Sequence, residues 1–129
     1  MPTELAKDPK CAASAFIQAC KKVGQDHVYP SAPTLKLELM GRRVIHDLMD
    51  VFWEGAKVCG TASAPEECKK GFAGKAFALI SSNYRRVFTS TLAEKKLPEQ
   101  YCRLQLVTDQ IAGMTDTFAI MTHKRLMNG

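Results

Sequence analysis

The chain has 129 residues, 46% of them apolar and 24% charged. That is long enough to bury roughly two thirds of the surface its unfolded form exposes, around one core, and the balance argues against both a disordered segment and a membrane protein. No apolar run approaches the roughly 20 residues of a bilayer span, and the first seven residues have neither the basic start nor the hydrophobic stretch of a signal peptide, so a cytoplasmic location is expected. The net charge of +5 admits an anionic partner without demanding one.

In chain order, Asp8 followed by Pro9 reads as an N-cap and a first helical residue, and Phe16, Ile17, Cys20, Val23 and Val28 then supply a helical face. Tyr29, Pro30 and Pro33 end that helix, since each proline lacks a backbone donor and restricts the residue before it. The strongest periodic segment runs from about Leu35 to Lys57. Val44, Ile45, Leu48, Met49 and Phe52 make one apolar stripe, with Arg42, Arg43, Asp47 and Asp50 displaced from it. Cys59 and Gly60 stop it.

Ser63 and Glu66 have the spacing of a capping box, predicting a short helix that Gly71 and Gly74 interrupt. Phe77, Leu79, Ile80, Tyr84, Val87, Phe88 and Leu92 then run through one long or two abutting helices, with Ser81, Ser82 and Asn83 as the break. Lys95 and Lys96 place cations at the negative end of the helix dipole before Pro98. A following helix carries Tyr101, Leu104, Val107 and Ile111 and ends at Gly113. Thr115 or Asp116 caps a last one through Phe118, Ala119 and Leu126. No alternating run is long enough to predict a strand. The expected fold class is all-α, a compact domain of about five to seven helices spanning residues 1–129.

The five cysteines, Cys11, Cys20, Cys59, Cys68 and Cys102, are odd in number, widely spaced and contain no CxxC. They read as reduced thiols, mostly buried, rather than a disulfide framework or zinc site. Residues 71–76 lack the spacing and the Ser or Thr of a phosphate-binding glycine loop. His27, the pair His46 and Asp47, and Asp109 could be read as scattered ligands for a hydrolytic metal ion, but an adjacent His and Asp arises easily by chance, and a surface or half-buried His46 on an amphipathic helix is the preferred reading.

Two stretches carry a more specific pattern. Residues 35–45, LKLELMGRRVI, and residues 101–119, with D-x-I-A-G-M-T-D-x-F-A from Asp109 to Ala119, resemble the C-terminal region of bacterial dGTP triphosphohydrolases, members of the HD-domain hydrolase superfamily. His27, Val28 and Tyr29 and residues 81–98 fall in compatible order, and the match is poorest over residues 58–74. The resemblance implies an enzyme that cleaves dGTP, or in some relatives other deoxynucleotides, to the deoxynucleoside and triphosphate. It also implies a divalent metal, Mg or Mn, held by histidines and aspartates in a motif far upstream of the matched segment. The chain would thus be a fragment or domain without the HD catalytic core. Its implied partners are a dNTP, other copies of itself in a homo-oligomer, often a hexamer, and for some relatives single-stranded DNA.

By position, the resemblance implies that Tyr29 packs against the base, Glu38 accepts hydrogen bonds from its donor edge, and Lys75, where arginine is expected, lies near the pocket. The chemistry suits guanine, which offers N1–H and N2–H₂ donors, a flat face, and O6 and N7 acceptors. The alternatives are structural: Tyr29 as a helix-terminal packing residue and Glu38 as an acid near a helix start. Arg42 and Arg43 could meet phosphate or single-stranded DNA, or simply be solvated. The competing functions are a free-standing nucleotide-sensing or protein-interaction module without hydrolysis, and a single-stranded nucleic-acid binder.

Overall fold

A computed structural model of the chain describes residues 11–61 and 67–128. Asp8, Pro9, Ser63 and Glu66, the first helix cap and the capping box expected from sequence, lie outside those residues. Every described element is helical: α1 (Ala12–Val23), a π-turn (Gly24–Val28), α2 (Ala32–Ala56), α3 (Glu67–Lys70), α4 (Phe72–Leu79), α5 (Ser82–Glu94), α6 (Glu99–Ala112) and α7 (Asp116–Met127). The all-α expectation holds. The chain divides into two compact units, Met1–Gly41 and Arg42–Gly129, with the boundary inside α2.

In the first unit, α1 ends with Lys21 and Lys22 in its last turn, where cations oppose the helix dipole. The backbone then widens into a π-turn closed by the Tyr29 amide on the Gly24 carbonyl at 2.9 Å. Tyr29 and Pro30 form the turn that the two prolines predict. Pro33 does not delay the next helix. It sits in the first turn of α2, where its missing donor would have no intrahelical partner anyway, so α2 begins at Ala32 rather than near Leu35. The Ser31 hydroxyl, 2.9 Å from that of Thr34, fixes this start.

In the second unit the core lies along one ridge of α2: Val44, Leu48, Phe52 and Ala56 recur every four residues and are all buried. Ile80, Phe88, Cys102, Leu106 and Val107 close over it. Ile45 and Met49, expected on the same stripe, are 47% and 39% exposed, because the buried seam is narrower than the apolar pattern. On α6 the correction is larger. Tyr101 and Leu104 are half-exposed, and the buried face is Cys102, Arg103, Leu106, Val107 and Gln110.

Those two buried polar residues are the reason for the shift. Gln110 Oε1 accepts the Ser81 amide at 2.9 Å, satisfying a free donor at the α4–α5 break. The break expected at residues 81–83 falls at Ile80 and Ser81, and Ser82 and Asn83 already belong to α5. Arg103 performs the matching task at the end of α2, donating from Nη1 to the carbonyls of Ala56 and of Cys59, the latter at 2.8 Å. One helix thus caps two others. Lys95, at φ 53°, ends α5 in the left-handed region.

Gly113 ends α6, but not by adopting positive φ, since it sits at φ −79°. What requires glycine is the Tyr84 hydroxyl, which would lie 2.0 Å from any Cβ placed there. Thr115 then caps α7, its hydroxyl accepting the Phe118 amide at 3.3 Å, while Asp116 stands in the first turn.

The cysteine expectation needs correction. Cys59 and Cys68 are disulfide-bonded across nine positions of sequence, Cys20 is exposed and Cys11 half-buried, and of the three free thiols Cys102 alone is buried. Odd count and wide spacing said nothing about which two the helix ends bring together. No described helix is long and apolar enough to cross a membrane.

Candidate functional site

In the first unit, Tyr29 follows the π-turn and lays the edge of its ring over Gly24, whose Cβ position lies 3.5 Å from Tyr29 Cε2. The ring nevertheless remains 62% exposed. Glu38 lies seven residues into α2, beyond the first turn, and its side chain is exposed. The helix-start reading of Glu38 therefore loses most of its force, since dipole stabilisation fades within about one turn. An exposed aromatic face and an exposed carboxylate are what recognition of a base would need. Lys75, in the second unit, is exposed on α4.

Gly71 and Gly74 flank Lys75's turn for a packing reason in at least one case: a Cβ on Gly74 would come within 2.4 Å of the Cys68 carbonyl oxygen. The close approach of α3 and α4 therefore fixes the backbone that carries Lys75. Gly55 does the same between α2 and α4, where a Cβ would meet the Phe77 amide nitrogen at 2.6 Å and the Ala73 carbonyl oxygen at 2.8 Å.

The residues once readable as metal ligands are used otherwise. His27 and His46 are exposed. Asp47 Oδ2 is 2.7 Å from His123 Nε2 and 2.8 Å from Arg43 Nε, joining α2 to α7. The hydrogen bond from His123 is the main reason the Asp47 carboxyl titrates below its usual range; Arg43 adds to this and burial opposes it. Asp109 accepts from Gln105 Nε2 at 2.6 Å. Among the described residues no three His, Cys, Asp or Glu side chains converge, so this donor set does not fit a hydrolytic divalent ion. Arg43 is exposed and paired, and Arg42 is exposed.

Sequence reading missed Arg103, which is buried and hydrogen-bonded to three residues. Its side chain is 8% exposed, and its guanidinium donates to Glu99 Oε1 from Nε at 2.9 Å and Nη2 at 2.6 Å and lies 5.7 Å from the Phe88 ring centre. The available signal was spacing: Arg103 and Gln110 are seven residues apart, on the face that holds Leu106 and Val107.

Residues 77–125, from within α4 to within α7, match the family described as a phosphohydrolase-associated domain. The deoxyguanosinetriphosphate triphosphohydrolase of Klebsiella pneumoniae subsp. pneumoniae is 29% identical over 95% of this chain and 26% of its own length. That of Yersinia pestis strain Pestoides F is 30% identical over 90% of this chain and 26% of its own. Over most of its length the chain is similar to one region of these triphosphohydrolases. The enzyme of Salmonella arizonae adds a match at 29% identity over 88% of this chain and 25% of the relative. The chain therefore spans about a quarter of the length of these triphosphohydrolase relatives. No solved structure matches it at a significant level.

Proposed function

We propose that this chain is the helical C-terminal part of a dNTP triphosphohydrolase, which shapes the nucleotide pocket and reads the base while residues outside it hold the reactive Mg or Mn. The observation that carries the reading is the match along nearly the whole chain to triphosphohydrolases of which it makes up a quarter. On this account Glu38 accepts the N1–H and N2–H₂ donors of guanine and Tyr29 stacks on the ring. Lys75 supplies a point charge to an acceptor of the nucleotide, without the two-pronged geometry of arginine.

Surface chemistry supports a part that covers something larger. Phe16, Val23, Tyr29, Leu37 and Leu39 are all more than half exposed. A run of large apolar side chains in water is a cost that contact with a catalytic core, or with further subunits of a homo-oligomer, removes. The test is a titration with dGTP and with dATP of the wild type, Tyr29→Ala and Glu38→Gln. Preference for dGTP that Glu38→Gln abolishes supports the reading. Equal binding of both nucleotides by all three proteins refutes base recognition. Tighter binding of an oligonucleotide than of dGTP, steeply weakened by salt, turns the assignment toward a single-strand binder.

A further inference from the structure

Where α2 ends, four close contacts meet around one covalent bond. Cys59, 2% exposed, lies three residues beyond α2, and Arg103 holds its carbonyl. Cys68 is half-buried in α3. The backbone of α3 rests on Gly74 of α4 through the Cys68 carbonyl, and α4 in turn rests on Gly55 of α2. Gly60, at φ +88°, turns the chain beneath the Phe77 and Phe88 rings, which would lie 2.7 and 2.9 Å from a Cβ there.

These contacts divide unevenly. The seat of α4 on α2 is backbone against backbone and does not need the disulfide. By contrast, α3 has only four residues, far short of what a helix needs to persist alone. It is held by the Gly74 contact on one side and by the Cys59–Cys68 bond on the other. We infer that Cys59 and Cys68 form a reversible thiol–disulfide exchange site whose oxidised state pins α3 to the end of α2, and whose reduction frees α3 while the core persists.

The chemistry is ordinary exchange with a dithiol. An incoming thiolate attacks the sulfur of the half-buried Cys68, the bond to Cys59 breaks, and Cys59 leaves as a thiolate that takes up a proton. The reagent's second thiolate then attacks its own bonded sulfur, releasing Cys68 and closing the reagent into a disulfide. Two electrons and two protons pass to the cysteines. A disulfide oxidant runs the same steps backward.

Opening a ring whose cysteines are nine positions apart removes a constraint equivalent to roughly a hundredfold in an opening constant by the chain-entropy account. Because α4 carries Lys75, reduction would also loosen the support beneath a proposed nucleotide contact. That consequence rests on the triphosphohydrolase reading, whereas the thiol and exchange measurements below do not.

The test takes the chain purified in air, before and after dithiothreitol under native conditions. Denaturing alkylation with mass spectrometry counts thiols, and hydrogen exchange reports α3 and α6. The expected result is alkylation of Cys11, Cys20 and Cys102 before reduction and of all five cysteines after it. Exchange in α3 should speed up tenfold to a hundredfold while α6 stays unchanged. The Cys59→Ser, Cys68→Ser double variant should exchange like the reduced wild type and ignore dithiothreitol. Five free thiols without reductant, a bond that yields only after unfolding, or exchange in α3 indifferent to reduction would each overturn the inference.

Discussion

Replacing Arg103 by methionine keeps most of the side-chain volume and removes every donor. The cost follows from what is left behind. The carbonyls of Ala56 and Cys59 lie at the end of α2, where no intrahelical amide reaches them. Leaving such buried acceptors unsatisfied costs about 1–3 kcal/mol each. Loss of the cation over Phe88 adds about 0.5–2 kcal/mol. The ion pair with Glu99 contributes little by comparison, because Glu99 is 58% exposed and pairs of that kind are worth about 1 kcal/mol at most. Arg103→Met should therefore cost about 3–5 kcal/mol, and Glu99→Gln under about 1 kcal/mol. With a urea slope of about 1–3 kcal/mol per molar, the first variant lowers the unfolding midpoint by one to a few molar and the second by a few tenths. Equilibrium urea unfolding followed by circular dichroism, with the disulfide intact, makes the comparison. Equal shifts for the two variants would mean that Arg103 acts as an ion-pair partner and not as the cap of α2.

Gly113→Ala should destabilise the protein by about 1–2 kcal/mol by crowding the Tyr84 hydroxyl, and Tyr84→Phe in the same chain should recover part of that loss; if the backbone angle were the cause, a double-mutant cycle in urea would show no coupling. Gly55→Ala meets backbone on α4 that cannot rotate away, so it should cost more than Gly113→Ala, at least about 3 kcal/mol, read by the same unfolding assay. The lowered pKa of Asp47 gives a pH signature. The folded value lies below the unfolded one of about 3.9, so the stabilisation is complete above that value and disappears as pH falls through the folded pKa. The stability gap between wild type and Asp47→Asn should thus persist at neutral pH and close below about pH 4; a gap that survives further acidification would assign Asp47 a role independent of its charge.

How much of this was legible in advance depended on whether a contact is written in apolar periodicity. The ridge Val44, Leu48, Phe52 and Ala56 was, because burial repeats with the helix. So were the break near Ser81 and the cap at Thr115, where local chemistry decides. The buried face of α6 was misplaced because Arg103 and Gln110 count as polar in any pattern, yet their partners are carbonyls and an amide supplied by remote helix ends. Gly113 was legible as the end of α6, but not the reason for it, since the hydroxyl that requires glycine comes from α5. The pairing of Cys59 with Cys68 was invisible for the same reason: it follows from where helices end in space. Of the candidate site, the sequence supplied residue types at Tyr29, Glu38 and Lys75. Structure adds that all three are exposed and that α3 and α4 fix the backbone under Lys75.

On the proposed reading, these helices serve a nucleotide pocket whose metal is held by residues outside the chain. Triphosphate release from dGTP in manganese, by this chain alone and by the same chain joined to the rest of the Klebsiella relative, tests that reading. No turnover is expected from the chain alone, and turnover by the joined protein should fall sharply with Glu38→Gln. Steady release of triphosphate by the isolated chain would contradict it.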